Sequence, residues 1–385
     1  MTYQEYIDAG ITYRELTQPD NALACFGQAM ILEPDSAAAF NNYGNTLREL
    51  NFPQRSIPFL EHACILDPAM STAEFNLAVA LLLKGDLRLG MKHYESRWRF
   101  EHLQGLLPQY SQPVWSGEDL SGKTILLLGE QGHGDIFQFC RFVANVKQRN
   151  PKKIYLQVTD TAVPVMQSSK IMQGVEVLPY NDVVENFDCW AMLMSLPVPL
   201  DLTYDTLNSP LQYIDASAES VKQWQQRLGP KTQQRIGISW SGRRDTWLNR
   251  HKSVTFNNIV DLIKRNPEHQ WVNLQADATE EENQTLLSLG VRLYPGTVNH
   301  WGDTAGLIHN LDLVIGVDTA VSHLSGALGR PTWIMLNHYA QDWRWLLNRN
   351  DSPWYPSAKL FRQPSIGDWD SVVDQLCQYL SWWKN

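Results

Sequence analysis

Matching residues recur 34 positions apart along the first third of this 385-residue chain. Pro34 in EPDSA and Pro68 in DPAMS keep that spacing, as do Gly10 and Gly44, and Ala29 and Ala63. A fixed period of this length marks a repeat architecture, in which each unit buries its apolar face only against its neighbours. From Lys123 onward the pattern changes to short apolar runs alternating with amphipathic stretches, which is the signature of parallel sheets covered by helices.

The first unit carries Gly10, Tyr13, Ala22, Phe26, Ala29 and Pro34, and the second Tyr43, Gly44, Leu60, Ala63 and Pro68. This resembles the tetratricopeptide pattern, in which small residues let two antiparallel helices approach and proline ends the second. A third unit, from Ser71 to about His102, keeps Leu77, Ala78 and Tyr94 but lacks the proline, as terminal capping repeats often do. Residues 1–105 are therefore expected to be helical repeats. They either dock a protein or peptide acceptor on a concave surface or simply shield the next domain.

The expected strands TILLLG, KIYLQV, VEVL and CWAMLMSL, with the helical stretches DIFQFCRFVANVKQR and ASAESVKQWQQRLGP, form one α/β series. RIGISW, WVNLQ, DLVIGV and TWIML, with SVTFNNIVDLIKR and EENQTLLSLG, form a second. The fold class is thus α/β with an amino-terminal all-α repeat region. Two Rossmann-like halves, 106–230 and 231–385, are separated near Gly229-Pro230. Ligands in such sheets bind at strand carboxyl ends, so a cleft between the halves is the expected site.

Composition narrows the function. A net charge of −9, without a Lys/Arg block, argues against a general nucleic-acid binder. The apolar runs are too short to span a membrane, and MTYQEYIDAG lacks the marks of a signal peptide. Five widely spaced cysteines without a CxxC pair read as reduced thiols in the cytoplasm. No histidine pattern implies a metal, and Asp368-Trp369-Asp370 reads as a cap for the final helix.

Two loops carry the chemistry. GEQGHGDIF follows the first strand, and Gly132-x-Gly134 resembles the start of a dinucleotide fingerprint, but Phe137 occupies the third glycine position. Asp135 there reads as an N-cap, which leaves the two glycines before it unexplained. In GVDTAVSHLSGALGRP a strand ends near Val317 and a helix starts near Thr319, so free backbone amides face the strand end, an arrangement suited to a diphosphate. Asp318 and Thr319 are sugar-binding or capping candidates, and His323 is a donor or a satisfied core group. The aromatic residues Trp343, Trp345, Trp354 and Tyr355 read as helix packing or as a cleft wall, and Trp240 as core or cleft.

GVDTAVSHLSGALGRPTWIML, LLLGEQGHGDIFQFCRF, IGISWSG, DWRWLLNRNDSPWYP and LFRQPSIGDW together resemble the heptosyltransferase-like family 9 glycosyltransferases of GT-B fold. The nearer resemblance is to bacterial tetratricopeptide proteins that carry such a domain. His133 stands where an apolar residue is usual, and SGRRDTWLNRHK is irregular. The resemblance implies an inverting, metal-independent transfer from a nucleoside-diphosphate sugar, with no bound cofactor. It assigns Asp135 as general base, with Gly132 and Gly134 in its loop. Lys252 would neutralise the donor phosphates, and Asp318 would hold the sugar. The amides of Thr319, Ala320 and Val321 would take the diphosphate, supported by His323, with Ser239 and Ser241 as further phosphate contacts. The alternative is a repeat scaffold with an inactive transferase domain.

Overall fold

The computed structural model describes residues 1–242 and 251–383, without the side chain of His102. Most of the irregular SGRRDTWLNRHK stretch lies outside the described residues. The chain divides into two units.

The first unit comprises Met1–Ser111, Asp201–Leu207 and Tyr339–Arg349. Its frame is three helical hairpins: α1 (Tyr3–Glu15) with α2 (Pro19–Leu32), α3 (Ala37–Glu49) with α4 (Pro53–Leu66), and α5 (Ser71–Lys84) with α6 (Leu87–Tyr94). The 34-residue glycines have a steric reason. A Cβ on Gly10 would lie 2.5 Å from the Phe26 ring, and one on Gly44 would lie 2.8 Å from Leu60. Gly90 plays the same part against Leu82 in the third hairpin. Pro19 and Pro53 open the second helices at positions where a missing N–H costs nothing.

Two later segments complete this unit, which the sequence boundary at 105 did not anticipate. The Tyr339 hydroxyl donates to Glu49 Oε2 at 2.7 Å, and the Ala340 amide donates to the Glu49 carbonyl. Trp343 meets Tyr94 edge to face, and the turn Trp343–Trp345 packs on α5. These two tryptophans are therefore packing groups of the repeat unit.

The second unit comprises Gln112–Leu200, Asn208–His338 and Asn350–Asn385. Among the described residues it contains two parallel sheets. The first has β1 (Thr124–Leu128), β2 (Lys153–Val158), β3 (Val175–Pro179) and β4 (Cys189–Met192) in the order β3-β2-β1-β4. The second has β5 (Arg235–Ile238), β6 (Gln270–Asn273), β7 (Leu313–Val317), β8 (Thr332–Leu336) and β9 (Ala358–Arg362) in the order β6-β5-β7-β8-β9. Every residue of β7 and β8 is buried, as expected of strands covered on both faces. This is a two-sheet parallel α/β architecture, as the alternating pattern predicts.

Two details differ from the sequence reading. DIFQFCRFVANVKQR is not one helix: helix His133–Phe139 passes through a 3-10 turn at Cys140–Phe142 into helix Val143–Lys147. Helix Ala218–Leu228, expected on the first half, packs on helix Trp301–His309 of the second, where Ser220 Oγ donates to the Gly302 carbonyl at 3.0 Å. Strand order reverses at β1 and at β5, so the carboxyl ends of β1, β5 and β7 open onto switch points, where parallel sheets leave a crevice.

Candidate active site

The loop after β1 runs through Gly129 and Gln131, whose φ of 57° is left-handed, to Gly132. Gly132, not Asp135, is the N-cap of helix His133–Phe139. Asp135 stands three residues in, and its Oδ2 accepts from the Gly132 amide at 2.9 Å. That geometry corrects the N-cap expectation, and the carboxylate remains half-buried beside the switch point.

Gly134 brings the two halves together. A Cβ there would lie 2.8 Å from His323 Cδ2 and 3.5 Å from Ala320 Cα, so only glycine lets this loop rest on the start of helix Ala320–Ala327. His133 beside it packs on Trp301, and its Nε2 lies 3.0 Å from Thr161 Oγ1. Burial holds the His133 imidazole below the usual histidine range.

On the second sheet, Thr319 is the N-cap of helix Ala320–Ala327 but makes no side-chain capping bond. The first amides, including those of Ala320 and Val321, lack intrahelical acceptors and lie at the carboxyl end of β7. Ser322 Oγ donates to the Val317 carbonyl at 2.7 Å and closes the turn from behind. Ser239, just past β5, is almost fully buried, and its hydroxyl has no hydrogen-bond partner among the described residues. Gly316 leaves room for that hydroxyl.

The Asp318 side chain is buried between Lys252 and His323. Lys252 Nζ donates to Oδ2 at 2.6 Å, and His323 Nε2 lies 3.3 Å from Oδ1. Burial alone would raise the Asp318 carboxyl, but the Lys252 charge and the His323 hydrogen bond outweigh it and hold it well below the usual carboxylate range. The lysine assigned to phosphate is thus paired with the aspartate assigned to sugar.

Ser241 is held by Gln275. Gln275 Oε1 accepts from the Trp240 and Ser241 amides, and its Nε2 donates to Ser241 Oγ at 2.9 Å. Trp240 itself belongs to the core of the second sheet. Gln275 also lines a cavity of about 350 Å³, together with Asn283, Tyr294, Trp301, Thr304 and Val321. Sequence reasoning missed Gln275 and this cavity. The available signal was its place at the end of the WVNLQ strand.

Among the described residues, no three His, Cys, Asp or Glu side chains gather as a metal site, and no helix is long and apolar enough to cross a membrane. The five cysteines are free thiols, and burial pushes that of Cys140 up to about 12. Asp368 caps the last helix through the Ser371 amide.

Burial also lowers His269 and His309, the latter with help from the charge of Arg330. A histidine lowered in the folded state binds fewer protons than the unfolded chain just below its ordinary value of about 6.5. Stability contributed by His133, His269 and His309 is therefore lost as pH falls through that window. The melting temperature should be lower at about pH 5.5 than at about pH 7.5. A flat profile by scanning calorimetry would contradict this.

No protein-family model matches the chain. It is 25% identical over 338 residues to protein FlbA of Caulobacter vibrioides, covering 81% of this chain and 55% of FlbA, so it spans about half that protein's length. Among solved structures it is similar to the E. coli ADP-heptose lps heptosyltransferase II, with a TM-score of 0.49 and 14% identity over 67% of this chain and 97% of that one. The family 9 glycosyl transferase of Veillonella parvula gives a TM-score of 0.49 and 12% identity over 70% and 92%. The first TPR domain of human RPAP3 gives 0.25 and 17% over 27% and 89%.

Proposed function

We propose that the chain is a glycosyltransferase that moves a sugar from a nucleoside-diphosphate donor to a protein or glycan acceptor, with inversion. The observation that carries this reading is the contact of Gly134 with His323 and Ala320. It sets a loop bearing a half-buried carboxylate against a helix start whose first amides lack intrahelical acceptors, with Lys252 paired to Asp318 beside it. Sugar transfer needs a base for the acceptor hydroxyl and positive charge for the departing diphosphate.

Asp135 is the base. The amides of Thr319, Ala320 and Val321 receive the diphosphate, with Lys252 and His323 adding charge or hydrogen bonds. Asp318 holds both of these side chains and has further lone pairs for a sugar hydroxyl. The cavity at Gln275, Tyr294 and Trp301 is large enough for a nucleoside and adjoins the same helix start through Val321. In this scheme the leaving charge is met by Lys252 and the helix amides without a metal. The helical repeats select the acceptor.

One observation favours the rival reading of an inactive scaffold: the Lys252 ammonium is already committed to Asp318. A nucleotide panel separates the two. ADP, UDP or GDP at about 100 times its Kd should stabilise the protein by about 2.7 kcal/mol, visible as a rise in melting temperature. No shift with any of the three favours the scaffold.

A further inference from the structure

The geometry points to Tyr355 as a positioning residue that holds His323 in the orientation used by the donor site. The inference rests on the transferase reading and adds a residue to it.

Tyr355 is fully buried, 32 positions beyond His323 in sequence, and its hydroxyl lies 2.8 Å from His323 Nδ1. The other ring nitrogen, Nε2, faces Asp318 Oδ1 at 3.3 Å. A carboxylate can only accept, so Nε2 carries a hydrogen; a hydroxyl can donate or accept, so Tyr355 suits Nδ1 in either state. The imidazole is thus held at both ends, one end by the aspartate that also binds Lys252. Second contacts of this kind fix which nitrogen carries hydrogen and where the ring points.

The chain spends buried structure on keeping Tyr355 in place. Gly326, on the same helix as His323, has no side chain because a Cβ would lie 2.6 Å from the Tyr355 ring. The Arg141 guanidinium sits over that ring, 5.0 Å from its centre. Arg141 is itself anchored by donating to the Trp354 carbonyl at 2.7 Å and to the Tyr213 hydroxyl at 2.7 Å, and Tyr213 in turn donates to the Phe137 carbonyl. Phe137 lies on the helix that bears Asp135. The hydroxyl that orients His323 is therefore braced against the helix of the proposed base.

Tyr355→Phe tests this, because it keeps the ring and removes only the hydroxyl. Nucleotide affinity by titration calorimetry should fall about three- to tenfold, the range for one lost hydrogen bond. His323→Gln should also weaken binding, and adding Tyr355→Phe to it should cost little more, since the hydroxyl acts through the imidazole. Fully additive losses would overturn the proposal. A buried-hydroxyl control, Tyr339→Phe in the repeat unit, should lower the melting temperature without changing nucleotide affinity. Imidazole ¹⁵N–¹H spectra, assigned with His323→Gln, supply a readout that needs no nucleotide. The His323 Nε2-bound hydrogen should give a sharp signal in the unaltered protein and a broadened or missing one in Tyr355→Phe. An identical signal in both would also overturn the proposal. If the unaltered protein binds no nucleotide, the transferase reading falls, and the spectra still decide whether Tyr355 orients His323.

Discussion

Asp135→Asn should leave nucleotide affinity nearly unchanged while sugar transfer falls by about 10²–10⁴, the usual range for loss of a general base. The substitution is a narrow one. Asp135 Oδ2 accepts from the Gly132 amide at 2.9 Å, and an asparagine side-chain oxygen can accept the same bond. The loop, the helix start and the packing of Gly134 on His323 are thus preserved, and only the ability to take a proton is removed. Titration calorimetry with the nucleotide and a transfer assay with product mass analysis measure the two quantities separately. A variant that binds and transfers like the unaltered protein would make Asp135 a helix-stabilising residue, with the base to be sought elsewhere in the loop.

How much of this was legible in the sequence depends on the range of the interaction. The repeat glycines could be read because the constraint is periodic: each helix pair needs a missing Cβ, and Gly10 and Gly44 supply it at equal spacing. The buried strands were legible as unbroken apolar runs such as TILLL and LVIGV. Helix Trp301–His309 was not, since WGDTAGLIH contains two poor helix formers in Gly302 and Gly306. Gly306 is there for a tertiary reason, against Ser220, and Gly302 fits between its own N-cap His300 and the distant Pro164. Strand β9 is half-exposed at two of its five positions and sits at a sheet edge, so its local signal is weak.

The candidate site divides in the same way. Gly132, Gly134, Asp135 and the Asp318–His323 stretch follow apolar strands directly, and a strand end followed by a helix start is a local pattern. Pairings across long separations have no such pattern. The clamp of Gln275 on Ser241, the hydroxyl of Tyr355 on His323 and the ion pair of Lys252 with Asp318 emerge only when the chain has folded. The DWRWLLNRNDSPWYP stretch is the sharpest case. Its aromatic character was plain, but nothing local told that Trp343 and Trp345 would complete the repeat unit while Trp354 and Tyr355 belong to the second unit, where Trp354 packs on Phe139 and Phe142.

The Lys252–Asp318 pair makes the second large prediction compound. Lys252→Ala removes charge proposed to meet the diphosphate, and a charge-assisted contact of about 1.5–3 kcal/mol corresponds to a roughly ten- to hundredfold loss of nucleotide affinity. The same change leaves Asp318 buried with one partner fewer. Breaking a buried pair from one side costs about 3–5 kcal/mol, although His323 offsets part of it here. A single variant would therefore lose affinity for two reasons at once. Neutralising both partners separates them, because replacing a whole buried pair is often nearly neutral for stability. Lys252→Met with Asp318→Asn should recover most of the melting temperature lost in Lys252→Ala and should still bind nucleotide weakly. If affinity returns together with stability in the double variant, the lysine serves the fold of the loop, and the diphosphate charge must be met by the amides of Thr319, Ala320 and Val321 with His323.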